Sequence, residues 1–265
     1  MALDIDIVAA LLREVAAAEV MPRFQKLAAH EIAEKKPGDI VTAADLGVER
    51  VLTQRLPGMV PSSRVVGEEA VHADPAVLKR IAEDAPVWIV DPVDGTTNFS
   101  EGSPLFAVQL AYVVRGETCA AWVYDPVRDL MAMAEKGSGA MLNGTRAHVA
   151  PAISAQDMKG ALYAGPTRPG LTADFAAKKK HYAGGGYRRC VGQEYLSLVS
   201  GEMHFALFTR ILPWDHAAGQ HIHEEAGGYS KLVDGRPYSA TESEGYILLA
   251  PDPESWAELK ALFIA

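Results

Sequence analysis

Asp91-Pro92-Val93-Asp94-Gly95-Thr96-Thr97-Asn98-Phe99 is the stretch on which the reading of the fold turns. Before it stands Val87-Trp88-Ile89-Val90, a short apolar run that reads as a buried strand. Asp91-Pro92 stops the run, because Pro supplies no backbone N–H and restricts the residue before it. Two carboxylates then lie three residues apart, followed by a glycine, two hydroxyls and an amide. Acids and free backbone N–H groups in a loop at a strand end are able to hold divalent cations and a phosphate together. The same residue types also make ordinary polar turns, so the nine residues alone leave both readings open.

Composition narrows the choice. The chain has 265 residues, 49% of them apolar and 22% charged, enough for one large domain or two lobes around a sizeable core. The formal net charge of -9 disfavours nonspecific binding to nucleic acid or to anionic membranes. It does not exclude an anionic substrate, because bound metal inverts the local potential. Cys119 and Cys190 are expected to be reduced, packed thiols, with no zinc-type spacing around them. Asp4 and Asp6 stand where a secretory signal would carry basic residues, and no apolar run approaches the length of a membrane span. A cytoplasmic protein is expected.

Working outward, residues 4–30 read as helix, with Pro22 placed to kink or split it. Residues 34–39 read as a charged loop, its Lys35 and Lys36 solvated or able to visit a phosphate. Asp45 opens a second helix as an N-cap or first-turn acid, and Pro57-Gly58 ends it. Arg64-Val65-Val66 is a strand running into Gly67-Glu68-Glu69, which puts two acids just past a strand end. After the central loop, Phe106, Val108, Leu110, Tyr112 and Val114 alternate, residues 118–124 return, residues 130–134 follow, and Asn143-Gly144 marks a hairpin. The second half alternates strands at 160–164, 187–191, 203–208 and 246–249 with helices at 172–182, 193–200, 215–226 and 253–263. Gly184-Gly185-Gly186 breaks the first of these helices, and residues 165–170 read as a plain loop. The Pro/Gly-rich stretch 151–170 divides an N-terminal lobe, residues 1–150, from a smaller mixed lobe, residues 151–265, the two forming one catalytic unit.

Pro213-Trp214-Asp215-His216-Ala217-Ala218-Gly219 is the second suggestive stretch. Asp215 reads as an N-cap, and the small residues after it let a backbone or a ligand approach closely. Glu68, Asp91, Asp94 and Asp215 are thus acids at element ends, drawn from three separated segments. All-oxygen donor sets suit Mg²⁺, Mn²⁺ or Ca²⁺ better than zinc. His216, His221 and His223 lack a second-histidine metal motif and read as structural or surface residues. There is no nucleophile elbow and no phosphate-binding GxxxxGK[ST] loop.

Gly67-Glu68-Glu69, residues 91–99, Trp214-Asp215 with Glu225-Ala226-Gly227-Gly228, and residues 39–45 together resemble the inositol monophosphatase family, over nearly the whole chain and in the right order. This is the metal-dependent, lithium-sensitive superfamily that includes fructose-1,6-bisphosphatases. The resemblance implies an α/β fold, a five-layer αβαβα sandwich with the site where the lobes meet. It implies Mg²⁺-dependent hydrolysis of a small phosphate monoester by direct attack of metal-activated water, with no phosphoenzyme. Glu68, Asp91 and the Val93 carbonyl would bind one metal. Asp91, Asp94 and Asp215 would bind a second, and Glu68 would help hold a weaker third through water. Mn²⁺ would substitute, and Li⁺ or Ca²⁺ would inhibit. Thr96, paired with Asp45, would orient and deprotonate the water. The Gly95 and Thr96 amides would bind phosphate, and Asp215, Gly192, Gln193 and Glu194 would contact the substrate. A homodimer is the assembly the resemblance implies; the acidic charge balance separately disfavours nucleic acid or a membrane as a partner.

The chain departs from that pattern in two places. Gly192-Gln193-Glu194 stands where inositol-phosphate enzymes usually carry a Gly-Thr-Ala type segment. Phe208-Thr209-Arg210 stands where they place a Glu before the Trp-Asp pair. Arg210 is able to bind a second anionic group. Histidinol phosphate, a sugar bisphosphate and a nucleotide 3'-phosphate therefore stay open as substrates beside inositol 1-phosphate. Another two-metal hydrolase, and a binding or regulatory protein that kept the fold but lost turnover, are the rival readings.

Overall fold

The computed structural model describes residues 3–163, 168–182 and 188–265. Helix α1 (Ile5–Val15) starts where the Asp4 carboxylate accepts the Asp6 and Ile7 N–H groups. It widens into a π-helical turn at Ala16–Val20 and is over before Pro22, so the proline follows the helix rather than kinking it. Strands β1 (Ile32–Lys36) and β2 (Asp39–Thr42) pair as a hairpin where a charged loop was expected. Pro37-Gly38 supplies the turn, with Gly38 at φ +80. A two-stranded ribbon with mostly polar faces has no apolar alternation to announce it. Helix α2 (Ala43–Met59) follows, carrying Pro57 in its last turn.

The next elements are β3 (Arg64–Gly67), α3 (Glu68–Ala73), a 3₁₀ segment (Pro75–Ala82), β4 (Val87–Asp94) and α4 (Thr96–Ser100). Then come β5 (Ala107–Val114), β6 (Glu117–Asp125), β7 (Leu130–Glu135), β8 (Gly139–Leu142) and β9 (Thr145–Arg146). Strands β3 to β9 form one sheet in sequence order, parallel at β3–β4 and antiparallel elsewhere. Asn143 and Gly144 both take positive φ between β8 and β9, as a two-residue hairpin of the right twist requires.

The second half adds β10 (Gly160–Tyr163), α5 (Phe175–Tyr182), α6 (Val191–Val199), β11 (Phe205–Phe208), α7 (Pro213–Glu225), β12 (Tyr229–Leu232), β13 (Ile247–Ala250) and α8 (Pro253–Phe263). The smaller sheet runs β10-β11-β13-β12. Residues 188–190 are not a strand, and α6 begins directly at Val191. The expected loop at 165–167 and the glycine break at 184–186 lie outside the described residues.

Four apolar seams join five layers. Leu12, Leu52 and Leu56 of α1 and α2 pack on Trp88 and Trp122 of the large sheet. The other face of that sheet, through Ile89, Ala111 and Val123, meets Leu196, Ala217 and Ile222 of α6 and α7. Tyr195 and Leu198 of α6 then face Phe208 and Leu249 of the small sheet. Phe205 and Leu248 on its far side are covered by Phe175 of α5 and by Trp256 and Phe263 of α8. The result is an αβαβα sandwich of the expected class. Helices α6 and α7, from the second half of the chain, are its middle layer.

Candidate functional site

Strand β4 places the central acids. It lies parallel to β3 with Gly67 opposite Val90, so Glu68 and Asp91 emerge side by side at one end of the sheet. Residues three apart in a regular strand point to opposite faces. Here Asp91 faces Gln109 while Asp94 faces Ala107, so β4 spends one residue more than β5 over that interval. Such a bulge re-aims a side chain, and both acids line the same cleft. Gly95 then takes φ +87, and a Cβ on it would stand 3.0 Å from the Leu105 carbonyl oxygen and 3.1 Å from the Cys190 Cβ. Only glycine fits that turn, which leads into α4 with first-turn amides that have no partner inside the helix.

Asp45 arrives from α2, buried at the third helical position. It is not the N-cap; Thr42 is. Its Oδ2 accepts from the Thr42 N–H at 2.8 Å and the Thr42 hydroxyl at 2.6 Å. The Thr96 hydroxyl lies 3.2 Å from Asp45 Oδ1 and 2.9 Å from the Val93 carbonyl, able to donate to either. Asp215 arrives from α7. It too sits in the first turn, after Leu212 and Pro213 begin the helix, and it lines the cleft. The small residues beyond it admit protein: a Cβ at Gly219 would fall 2.0 Å from the Tyr195 ring, so α6 and α7 close on each other there. His216 is buried between the Tyr195 hydroxyl and the Arg210 carbonyl, each 2.9 Å from a ring nitrogen.

The electrostatics are those of crowded acids. Burial, then the neighbouring Glu68, Asp94 and Asp215 charges, push the Asp91 carboxyl well above its usual range. Burial does the same for Asp215, with Asp94 and Glu68 adding to it. Asp94 is raised to about 6 by burial, against hydrogen bonds from the Gly192 N–H and the Cys190 thiol that favour its charge. Burial raises Asp45 to about 7 against the pull of Thr42. Lys35 reaches in from the β1–β2 hairpin with its side chain 5% exposed, 2.8 Å from Glu68 and 2.9 Å from Glu69. Burial opposes its charge, yet the two carboxylates outweigh that and raise its pKa.

Among the described residues, no three His, Cys, Asp or Glu side chains stand ready to hold an ion as they lie. Their oxygens are turned to protein donors: Glu68 to Lys35, and Asp94 Oδ2 to the Gly192 N–H and to Gln109 at 3.0 Å. The donor set still fits a hard cation. Asp91 is 2% exposed, and its Oδ1 has no hydrogen-bond partner among the described residues. A buried carboxylate oxygen in that state calls for a cation or a proton.

A family model described as the inositol monophosphatase family matches residues 4–264. The chain belongs to the inositol monophosphatase family. A Thermotoga maritima fructose-1,6-bisphosphatase/inositol-1-monophosphatase is 33% identical over 214 residues, 78% of this chain and 77% of its own. The Escherichia coli protein named Nus factor SuhB is 32% identical over 227 residues, 80% of this chain and 79% of its own. The solved structure of a Thermotoga maritima IMPase superposes with a TM-score of 0.78 at 26% identity, covering 97% of this chain and 96% of that one.

Within this family member, the cleft gathers Glu68, Asp91, Val93, Asp94, Gly95, Thr96 and Asp215, with Asp45 behind Thr96. The structure turns the 192–194 segment elsewhere. Gly192 gives its N–H to Asp94. Gln193 is fully buried, donating to the Phe106 carbonyl at 2.9 Å and to Asp125 at 2.8 Å while accepting from Arg128. Glu194 is buried too, accepting from the Tyr163 hydroxyl at 3.1 Å. Neither side chain lines the cleft, because the first turn of α6 aims them at Phe106 just ahead of β5, at Asp125 of β6 and at Tyr163 of β10. Gln109, Cys190 and Glu49 escaped the sequence reading. Glu49 caps α3 by accepting the Glu69 and Ala70 N–H groups. The one available signal was Gln109, an amide in a strand buried on both faces.

Proposed function

We propose that this chain is a Mg²⁺-dependent phosphomonoesterase acting on small phosphate esters, inositol 1-phosphate among them. The observation that carries the reading is the unpartnered, buried Asp91 oxygen, set among Glu68, Asp94 and Asp215 and beside the open first turn of α4. Glu68, Asp91, Asp94, Asp215 and the Val93 carbonyl would hold Mg²⁺. When bound, the metal neutralises phosphoryl charge and acidifies water.

The chain's own groups do the rest. The Gly95 and Thr96 amides, at the start of α4, hold the phosphoryl oxygens. The Thr96 hydroxyl gives its proton to Asp45 and takes one from the attacking water. That water's oxygen forms the new P–O bond as the ester P–O bond breaks, and the leaving alkoxide takes a proton from solvent. Asp45, with its pKa near 7, is matched to accept a proton at neutral pH. No nucleophilic side chain is needed.

A second reading is left open by the E. coli relative, whose name is Nus factor SuhB: a binding or regulatory protein that kept the fold but lost turnover. Phosphate release separates the two. Inositol 1-phosphate, histidinol phosphate, fructose 1,6-bisphosphate and adenosine 3'-phosphate are assayed with Mg²⁺ and with EDTA. Release that requires Mg²⁺ is expected from at least one ester; no release from any of them overturns the proposal.

A further inference from the structure

The cleft has two electrical zones. It encloses about 870 Å³. Its inner wall carries Asp91, Asp94 and Asp215. Its outer wall carries Lys36, Arg168, Lys179, Arg189 and Arg210. Five cations on one rim run against a chain whose net charge is -9. The separation is one of depth. Asp91 and Asp94 are buried, whereas Lys36, Arg168, Arg189 and Arg210 are exposed. Lys36 is 3.5 Å from Asp39, and Arg189 pairs with Glu101. Arg210 and Arg168 make no ion pair among the described residues.

The backbone of Arg210 is held in place. Its carbonyl accepts from buried His216 at 2.9 Å, so its backbone is fixed just ahead of α7. Arg210 lines the same cleft as Asp215. An anion would find an exposed guanidinium that makes no ion pair among the described residues, carried on a fixed stretch of backbone.

We infer that the cleft has a second anion subsite centred on Arg210, and that the preferred substrate is a phosphate ester whose leaving group itself carries a phosphate or a carboxylate. Arg168 and Lys179 supply the flanking charge. This rests on the phosphomonoesterase reading for the first phosphate but not for the second anion. Gln193 and Glu194 play no part in it, since both are spent inside the protein.

Two matched pairs test it. Fructose 1,6-bisphosphate against fructose 1-phosphate adds a phosphate, and 2-phosphoglycerate against glycerol 2-phosphate adds a carboxylate. The anion-bearing member of at least one pair should be favoured in kcat/KM by about tenfold or more, the worth of one charge-assisted hydrogen bond. The pair that shows the preference identifies the anion. Arg210→Gln should bring that ratio below about threefold, and Arg210→Lys should keep part of it. Using a ratio cancels any effect of Arg210 on Asp215. Ratios near one in both pairs overturn the inference, as does a preference that survives in Arg210→Gln. The same pairs are titrated calorimetrically with Ca²⁺ in place of Mg²⁺. Selective binding without hydrolysis would sink the phosphatase reading alone; hydrolysis without selectivity would sink the second-anion reading alone.

Discussion

Replacing Asp45 by asparagine separates the structural role of this side chain from the catalytic role proposed for it. Its Oδ2 closes the start of α2 by accepting from the Thr42 N–H and hydroxyl at 2.8 and 2.6 Å. Its Oδ1 faces the Thr96 hydroxyl at 3.2 Å. Asparagine is nearly isosteric. Its carbonyl oxygen can take the Oδ2 position and keep both capping bonds. Its amide then donates to Thr96, whose hydroxyl still has the Val93 carbonyl at 2.9 Å to donate to. The capping bonds and the Thr96 contact are kept and a buried charge is removed, at the cost of one buried amide N–H with no partner among these groups. Asp45→Asn should therefore match the wild type in stability within about 1 kcal/mol, or exceed it. What it loses is the proton acceptor. We expect kcat to fall by roughly 10²–10⁴, about 3–5 kcal/mol of barrier. KM should hold within about threefold, since the Gly95 and Thr96 amides proposed to bind phosphate are untouched. Asp45→Ala is the contrast: two buried donors lose their acceptor, at about 2–4 kcal/mol of stability. The assays are phosphate release under saturating ester and Mg²⁺, and urea unfolding of the metal-free protein. Wild-type turnover in Asp45→Asn would refute the proton-relay role. Equal destabilisation by Asn and Ala would refute the hydrogen-bond argument.

Gln193→Ala should cost about 2–3 kcal/mol by urea unfolding, because it breaks the links to the Phe106 carbonyl, Asp125 and Arg128, and should leave KM unchanged. A large rise in KM with full stability would restore a substrate role. Gly219→Ala places a Cβ 2.0 Å from the Tyr195 ring, which stacks on Phe208 and bonds His216. Despite alanine's better helix propensity, it should lower stability by about 2 kcal/mol, read as a drop in Tm. His223 is buried, and burial alone pushes its pKa down to about 3. In the unfolded chain it takes up a proton below about pH 6.5, while the folded chain keeps it neutral. The stability it carries is whole above that pH and is lost as pH falls toward 3. Relative to His223→Phe, the wild type should lose about 2 kcal/mol between pH 7 and pH 5, with the carboxylates common to both cancelling in the difference. Parallel unfolding curves for the two proteins across that range would rule this out.

The elements nearest the site were legible because their signals are local. A short apolar run and acids at element ends mark β4, Glu68 and Asp215 with no knowledge of the partner strands, although β4 does not stop at Asp91-Pro92 as the sequence suggests but runs on to Asp94, its bulge accommodating the proline. Alternation marked the β5–β6–β7 meander for the same reason. Tertiary contacts decided the rest. The bulge that turns Asp91 and Asp94 into one cleft depends on how β5 pairs. Lys35 reaches Glu68 only because Pro37-Gly38 folds a polar ribbon back over the site. Gln193 looks like a substrate contact in one dimension, but the start of α6 aims it at Asp125 and Arg128, far along the chain. The sequence by itself therefore determined the chemical kind of the site, because acids, hydroxyl and glycine must all be written into one chain. Only the tertiary structure decided which side chains face the cleft and which are spent inside the protein. Facing is set by strand register and helix rotation, and both follow from contacts between residues far apart in sequence.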